Sequence, residues 1–358
     1  MSQEAGVRRS VTGPNGPAVG TPDRRPRSVR RTTTHDSVRH DGMQGPVTIT
    51  ALGRDLYTGA GGSATVLASA RVDAVADFPE NVLSSISADP PDDRLRALAG
   101  TRASSGFRGR VEQALPGERE SGSVYYQILD DLPTALLVSG YAVLASFHAS
   151  GSQPGQRPGQ RAVPSGGPGK GFPGGAPSGK APQQVDMCAG WVDGGVLVSG
   201  LAEGSPPYFA GPAAPDLATR DPLGWHSIQT SLPSSMRRRR RVDVWPDGDR
   251  YLVECFFRDS YFRADGAETV IHEYTVQASV DGKSGTFGAC NAEYGALPWP
   301  ECPAATASAG RLVGTPAAGL RSRVRAQFTG ISTCTHLNDT LRALADVGTL
   351  IGALKSQH

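Results

Sequence analysis

The sequence predicts an α+β protein made of two duplicated units, each an antiparallel sheet followed by helices, packed as a pseudo-twofold pair. Two observations lead to this prediction. The segments on either side of a Gly/Pro-rich stretch resemble each other at a constant spacing. Each segment also begins with alternating apolar residues and ends with apolar residues at helical spacing. Strands followed by helices favour an α+β unit, and two copies in one chain can pair as a fused homodimer does.

The repeat extends over most of both segments. At an offset of 204 residues, 11 of the 36 positions from 54 to 89 carry the same residue in the second segment, without gaps. Arg54-Asp55, for example, corresponds to Arg258-Asp259. Further along the chain the offset becomes 213, because the second segment has an insertion around residues 298–303. We interpret this pattern as an internal duplication.

The duplication divides the chain into five segments. They are a basic tail predicted to be disordered (residues 1–29), a first copy (30–148), a flexible linker (149–184), a connecting segment (185–236) and a second copy (237–355). The linker has 10 Gly and 7 Pro in 36 residues and almost no large apolar side chain. Such a segment cannot bury enough surface to offset the entropy lost on ordering, so it is predicted to be a tether.

The elements of the two copies follow from their apolar periodicity. Alternating residues predict half-buried strands over residues 66–76 in the first copy and 270–280 in the second. Spacing of three to four residues predicts helices that close each copy. Their apolar positions are Phe107, Val111 and Leu115 in the first copy, and Leu337, Leu341, Leu344 and Val347 in the second.

Composition narrows the classes of function and location. The net charge of +2 gives no overall attraction to nucleic acid or membrane, and the longest apolar run, residues 136–145, is too short to span a bilayer. Five irregularly spaced cysteines and no export signal predict a cytoplasmic protein without a disulfide framework. There is no nucleotide-binding loop, no dinucleotide fingerprint and no serine-hydrolase elbow.

The two copies differ most in their reactive side chains. His272 lies on the apolar side of its predicted strand, where the first copy has Ala68, and Glu273 replaces Ser69. The second copy also has Cys302 in its insertion. Its last helix begins with Cys334 and His336, whereas the matching stretch of the first copy, residues 121–123, has neither a thiol nor an imidazole. A functional site is therefore expected in the second copy.

Three interpretations of these residues remain open. Thiolate and imidazole are preferred ligands of transition metals, so His272, Cys302, Cys334 and His336 are candidate ligands for a zinc or iron ion. The predicted catalytic set is His272, Glu273, His336 and Asp259, with His272 and His336 as base and acid. Cys334 at a helix N-terminus could also be a nucleophile. In the third interpretation the thiols are small core residues and the histidines satisfy local hydrogen bonds.

The run Arg237–Arg241 also has two interpretations. Five consecutive arginines are typical of a nucleic-acid patch or of a site for a carboxylate or phosphate. The apolar Val242 and Val244 that follow, with Asp243 between them, indicate instead that the run leads into a strand. We favour the strand, with the arginines solvated and paired with acidic residues.

The second copy resembles a known family. Its Cys334-Thr335-His336-Leu337-Asn338 element, His272, Cys302 and Asp247-Gly248 are similar in type and order to the bacterial domain of unknown function 2889. The resemblance covers residues 237–355, and the first copy shares it only through the duplication. Thr333 stands where that family usually has a glycine. Because the family has no assigned activity, the resemblance implies recurring residue types and no reaction.

The function that these features predict is a cytoplasmic catabolic enzyme acting on a small, mostly apolar molecule. Acid–base or metal-assisted chemistry is expected, and a lyase or hydratase is preferred because no redox-cofactor motif is present. The alternative is a non-catalytic module that binds a ligand or a partner. In either case neither nucleic acid nor membrane is an expected partner, and the two copies are expected to form an intramolecular pseudo-dimer.

Overall fold

The computed structural model describes residues 16–43, 45–149, 184–204, 207–217 and 221–357. In these residues one antiparallel sheet of eight strands has the order β4-β3-β2-β1-β5-β6-β7-β8. The strands are β1 (Ser28–Val38), β2 (Val47–Thr58), β3 (Ala64–Ala76), β4 (Leu83–Asp89), β5 (Ser235–Asp247), β6 (Arg250–Phe262), β7 (Glu268–Asp281) and β8 (Phe287–Tyr294). The mixed α+β class is therefore confirmed.

Helices follow the strands in each half, as predicted. They are α1 (Phe107–Ala114), α2 (Glu118–Ser121), α3 (Val124–Ala149), α4 (Val196–Ala202), α5 (Leu320–Gln327), α6 (Thr335–Ala343) and α7 (Val347–Lys355). Short 3-10 helices span Asp93–Leu98, Ala189–Trp191, Cys302–Leu312 and Leu344–Asp346. The second-half insertion predicted around residues 298–303 leads into the 3-10 helix that begins at Cys302.

The sheet differs from the prediction of two packed sheets, because the eight strands form one continuous surface. Strands β1 and β5 pair antiparallel at its centre and join the two halves edge to edge. This pairing satisfies the backbone groups that each half would otherwise leave exposed at a sheet edge. Two ion pairs cross the junction reciprocally: Arg30 Nε lies 2.5 Å from Asp243, and Arg237 Nε lies 2.6 Å from Asp36.

The longest helix, α3, connects the two hydrophobic cores. Its first half, including Tyr126 and Leu136, packs in the core of the first four strands, and Ala142 and Ala145 pack in the core of the second four. By length and composition alone its Val124–Ser146 segment could cross a membrane, but 72% of the most apolar window is buried. The apolar run seen in the sequence is thus part of a core helix.

Residues 16–27 were predicted to belong to a disordered tail, but they cross the outer face of the sheet, which is the face opposite α3. The backbone N–H of Ala18 donates to Glu273 over 2.6 Å, and the Thr21 hydroxyl accepts from Trp225 over 2.7 Å. Strand β1 then begins at Ser28. These contacts account for the order of a Pro/Gly-rich segment. Residues 1–15 of the predicted tail, and all of the predicted linker except its two end residues, lie outside the described residues.

The arginine run lies within β5, and its five side chains are buried. Strand alternation directs them to both faces of the sheet. On the outer face Arg241 pairs with Asp243 over 2.6 Å, and on the helix-covered inner face Arg240 lies 2.9 Å from Asp131 of α3. The strand interpretation is therefore correct, whereas the prediction that the run is solvated is wrong.

Nine charged residues on the inner face form one continuous series of ion pairs, which we call the buried charge chain. Each neighbouring pair in the series is 2.6–3.2 Å apart. The series runs Asp55, Arg31, Asp346, Arg321, Asp130, Arg342, Asp339, Arg238 and Asp259. All nine side chains are buried. The buried charge chain therefore links β2 in the first half to β6 in the second through the helices beneath the sheet.

The ion pair between Arg240 and Asp131 beside this chain can be tested by Asp131→Asn. Removing one partner leaves the other charge buried without compensation, so we expect the free energy of unfolding to fall by about 3–5 kcal/mol. Urea-induced unfolding measures this loss. The matched control is Asp73→Asn, which breaks the half-exposed pair with Arg71 and is expected to cost at most about 1 kcal/mol. Equal losses in the two variants would contradict the structural role of the buried pair.

The dependence of stability on pH can be tested at His226, which lies over the central strand. Its Nδ1 and Nε2 are each 2.9 Å from a hydroxyl, those of Thr32 and Thr34. Burial, and then the nearby Arg54, lower the pKa of His226 to about 3. The unfolded chain binds the proton at a pKa of about 6.5, so stability falls as the pH falls from about 6.5 towards 3.

This group contributes up to about 1.4 kcal/mol per pH unit to that slope. We therefore expect His226→Gln to flatten the plot of unfolding free energy against pH, measured by urea denaturation between pH 4 and 7. The exposed His40→Gln controls for the loss of an imidazole. An unchanged slope in His226→Gln would contradict the burial of a neutral ring at this position.

Candidate functional site

The candidate site lies at the second-half end of the buried charge chain, where Asp259, His272 and His336 come together. One potential ligand atom from each residue lies within 4.8 Å of those of the other two. Asp259 Oδ2 is 3.9 Å from His272 Nδ1 and 3.7 Å from His336 Nε2. The two imidazole rings stack with their centres 3.6 Å apart. Three of the four predicted catalytic residues therefore share one place.

The sheet places two members of the cluster. Asp259 on β6 is opposite His272 on β7, and a β-bulge follows between Asp259 and Ser260. A bulge twists the strand locally and changes where its side chains point, which is why bulges occur beside functional sites. The short separation of the two side chains is thus a consequence of strand register.

The start of α6 places the third member. Cys334 is the N-cap, and His336 is the second residue of the helix. Two contacts hold this turn in place: Asn338 Nδ2 donates to the carbonyl of Phe328, and the backbone N–H of Ala189 donates to the carbonyl of Thr333. His336 Nδ1 is 3.8 Å from Cys334 Sγ and 3.5 Å from Thr335 Oγ1. Its Nε2 consequently faces Asp259.

Both imidazoles are neutral in this environment. Burial lowers the pKa of His336 to about 3, and the positive charge of Arg238 lowers it further. Burial also places the pKa of His272 well below its ordinary value, with His336 as the next cause. His272 Nδ1 and His336 Nε2 have no hydrogen-bond partner among the described residues. A buried nitrogen whose lone pair or N–H makes no hydrogen bond lowers the stability of the fold, unless a ligand binds it.

Arg238 fixes the carboxylate of the cluster. Its Nε and Nη2 donate to the two oxygens of Asp259 over 2.9 and 3.0 Å, while its Nη1 donates to Asp339 over 2.9 Å. Burial lowers the pKa of Arg238, but Asp259 and Asp339 raise it above its ordinary value. Both oxygens of Asp259 are therefore held in one orientation. Sequence reasoning missed Arg238 because it lay within a run interpreted as solvated.

The three cysteines near the site are buried thiols outside the cluster. Burial raises the pKa of Cys334 to about 11 and also raises those of Cys302 and Cys188. Cys302 packs against Gly190, where a Cβ would come within 2.8 Å of its sulfur. The three thiols surround the hydroxyl of Tyr274, whose pKa is raised by burial and then by Cys334. They shape the wall behind His336 as neutral groups.

Glu273 is not part of the site. Its carboxylate is 2.6 Å from Arg258 Nε and accepts a hydrogen bond from the backbone of Ala18 on the outer face of the sheet. Consecutive strand residues point to opposite faces, so His272 and Glu273 cannot serve one inner-face site. The structure therefore places Glu273 apart from the other three residues of the predicted catalytic set.

Comparison with known proteins supports the family resemblance for the second half. The family described as Protein of unknown function (DUF2889) matches residues 236–349, which extend from β5 into α7. This range includes Asp259, His272, Cys302, Cys334 and His336. No curated protein and no solved structure matches the chain.

The cost of two unpartnered imidazole nitrogens can be measured in the metal-free protein. We expect His272→Leu to increase the free energy of unfolding by about 1–2 kcal/mol, because it removes a buried polar atom without a hydrogen bond. His226→Leu is the matched control. It loses two hydrogen bonds and is expected to destabilise by about 1–3 kcal/mol. A destabilised His272→Leu protein would instead assign a structural role to His272.

Proposed function

We propose that this protein is a metal-dependent enzyme in which Asp259, His272 and His336 bind one divalent transition-metal ion. The observation that carries the proposal is the convergence of an oriented carboxylate and two unpartnered imidazole nitrogens within 4.8 Å. Two histidines and one carboxylate form a recurring set of ligands for iron(II) and zinc that leaves coordination positions open.

The residues fit such an ion in three respects. Ligands bound at about 2.0–2.2 Å to one ion lie roughly 3.0–3.5 Å apart, so the observed 3.7 and 3.9 Å from Asp259 require only a small closure. The two stacked rings must also rotate apart, because an imidazole lone pair lies in the plane of its ring. The imidazoles are neutral, as metal coordination requires. Arg238 provides the outer contact that orients the ligand carboxylate.

Lyase or hydratase chemistry on a small molecule is the reaction class that we propose. When bound, the ion supplies a Lewis acid that polarises an oxygen of the substrate or of water. The protein holds the ligands, with Arg238 on the Asp259 carboxylate. Neutral side chains lie near the imidazoles: Phe257 lies 6.3 Å from the His336 ring, centre to centre, and Tyr274 and Cys334 are buried nearby. An apolar surrounding of this kind supports a mostly apolar substrate and strengthens electrostatic effects at the metal.

The proposal is tested first by metal content. Protein purified without chelators or a histidine tag should contain about one zinc or iron ion per chain by mass spectrometry, as a single three-ligand site implies. His272→Ala, which introduces the residue of the first half, should remove the metal and the activity while the chain stays folded by circular dichroism. A folded His272→Ala protein that keeps its metal would overturn the assignment.

Cys302→Ser is the matched control for the metal measurement. Cys302 is buried beside the cluster, but its sulfur is outside the three-ligand set, so this variant should keep its metal. Loss of metal in Cys302→Ser but not in His272→Ala would move the site to the thiols. Protein that binds neither zinc nor iron after incubation with the ions would contradict the proposal as a whole.

We further propose that the two halves are related by duplication about a pseudo-twofold axis at the β1–β5 pair. Three equivalences support this relation. The bulges after Asp55 and after Asp259 are 204 residues apart, as are those after Val75 and after Ser279. Arg31 binds Asp55 with the same two nitrogens that Arg238 uses for Asp259. The reciprocal ion pairs across the central strands have the isologous form of a twofold interface.

A further inference from the structure

A cavity of about 410 Å³ lies on the outer face of the sheet, on the side opposite the histidine cluster. Residues 18–22 form its roof, and side chains of β5, β6 and β7 form its floor. Its volume is within the range of small-molecule sites. The cavity shares no residue with the candidate metal site, and its occupancy is therefore a separate question.

The roof is fixed at both ends. At one end the backbone of Ala18 donates to Glu273 and accepts from Arg258 Nη2 over 2.7 Å. At the other end the carbonyl of Pro22 accepts from Arg30 Nη2 over 2.9 Å, and Thr21 binds Trp225. The segment between these contacts lines the cavity, and Gly20 provides a left-handed turn with a φ of 72°. The cavity is thus formed before any ligand arrives.

The floor presents a cationic and an anionic group side by side. Arg241 uses Nε for Asp243 and Nη2 for Glu254, which leaves Nη1 without a hydrogen bond among the described residues. Glu254 accepts this hydrogen bond with Oε1, so its Oε2 remains available as an acceptor. The Thr275 hydroxyl makes no hydrogen bond to the described residues, and the Phe256 ring provides an apolar surface. One donor, one acceptor and one hydroxyl therefore remain for a ligand.

The charges on this floor are balanced. Arg241 pairs with both Asp243 and Glu254, and Arg30 also pairs with Asp243, so two guanidiniums face two carboxylates. A ligand with a net charge would be attracted to one sign and repelled by the other. A molecule that carries both charges can meet both groups, and charge-assisted hydrogen bonds are the strongest available to it.

We propose that this cavity binds a small zwitterion of the α-amino acid type. Its carboxylate accepts from Arg241 Nη1, its ammonium group donates to Glu254, and its side chain lies against Phe256. The site has no part in the metal chemistry. It provides the protein with a second ligand on the other face of the sheet.

The test compares L-alanine with propionate and ethylammonium, which keep its size but carry one charge each. Binding to the full-length chain is measured by isothermal titration calorimetry at constant ionic strength. L-Alanine should bind more tightly than either analogue by at least about tenfold, the equivalent of one charge-assisted hydrogen bond. Equal binding of the three molecules, or no binding of L-alanine, would overturn the proposal.

Two variants locate the binding. Glu254→Gln removes the anionic group, preserves the side-chain shape and should weaken L-alanine binding at least about tenfold. Glu203→Gln, an exposed carboxyl at the end of α4, is the control and should leave binding unchanged. Thermal unfolding verifies that both variants are folded, and Thr275→Val provides a second floor change should Glu254→Gln unfold. Equal affinity in folded Glu254→Gln and wild type would refute the site, whereas unchanged L-alanine binding by His272→Ala would separate it from the metal centre.

Discussion

The buried charge chain is the constraint on which the rest of this structure depends. Charges removed from water are tolerated only when each one is paired and hydrogen-bonded, because an unpaired buried charge costs several kcal/mol. In this protein the pairing partners come from both sheet halves and from the helices beneath them. A helix that shifted along the sheet would separate several pairs at once. The buried charge chain therefore fixes the register of the helices more strictly than apolar packing does, because apolar side chains can repack.

The two ends of this chain carry the difference between the halves. Asp55 and Asp259 are held by arginines in the same bidentate way, and each begins a β-bulge. Ala68 is opposite Asp55, whereas His272 is opposite Asp259. The same scaffold thus ends in an inert methyl group on one side and in an imidazole on the other. Among the described residues, the histidine cluster therefore lies in the second half, at the position where the first half has Ala68.

The sequence predicts the parts of this structure that depend on local pattern. Strand alternation and helical spacing identify β3, β7, α1 and the final helices, and comparison of the copies singles out His272 and His336. Strand alternation also separates Glu273 from His272, because adjacent strand residues point to opposite faces. Two expectations, the disorder of residues 16–27 and the solvation of the arginine run, failed for a physical reason that no local pattern reveals. Residues 16–27 are ordered by contacts with Arg258, Glu273 and Trp225, which are distant in sequence.

The prediction that the arginine run is solvated failed for a related reason. Consecutive arginines are usually solvated, and their burial in β5 requires acidic partners from elements far away in the chain, such as Asp131 of α3. Only Asp36 and Asp243, which follow paired arginines in both halves, hint at this arrangement in the sequence. The existence of the strand can be predicted from its apolar end. The ion-pair partners of its arginines cannot be predicted, because they depend on the junction between the halves.

The first half consequently has a role in the site without contributing to the cluster itself. Asp131 of α3 pairs with Arg240 and is among the charges that raise the pKa of the neighbouring Arg238. Arg238 in turn binds both oxygens of Asp259 and leaves the two imidazoles as the groups without partners. A second half alone would keep Arg238 and Asp259 but lose the carboxylates of α3 beneath β5. The first half thus supplies a counter-charge beside the arginine that orients Asp259, although the direct partners of Arg238, Asp259 and Asp339, both come from the second half.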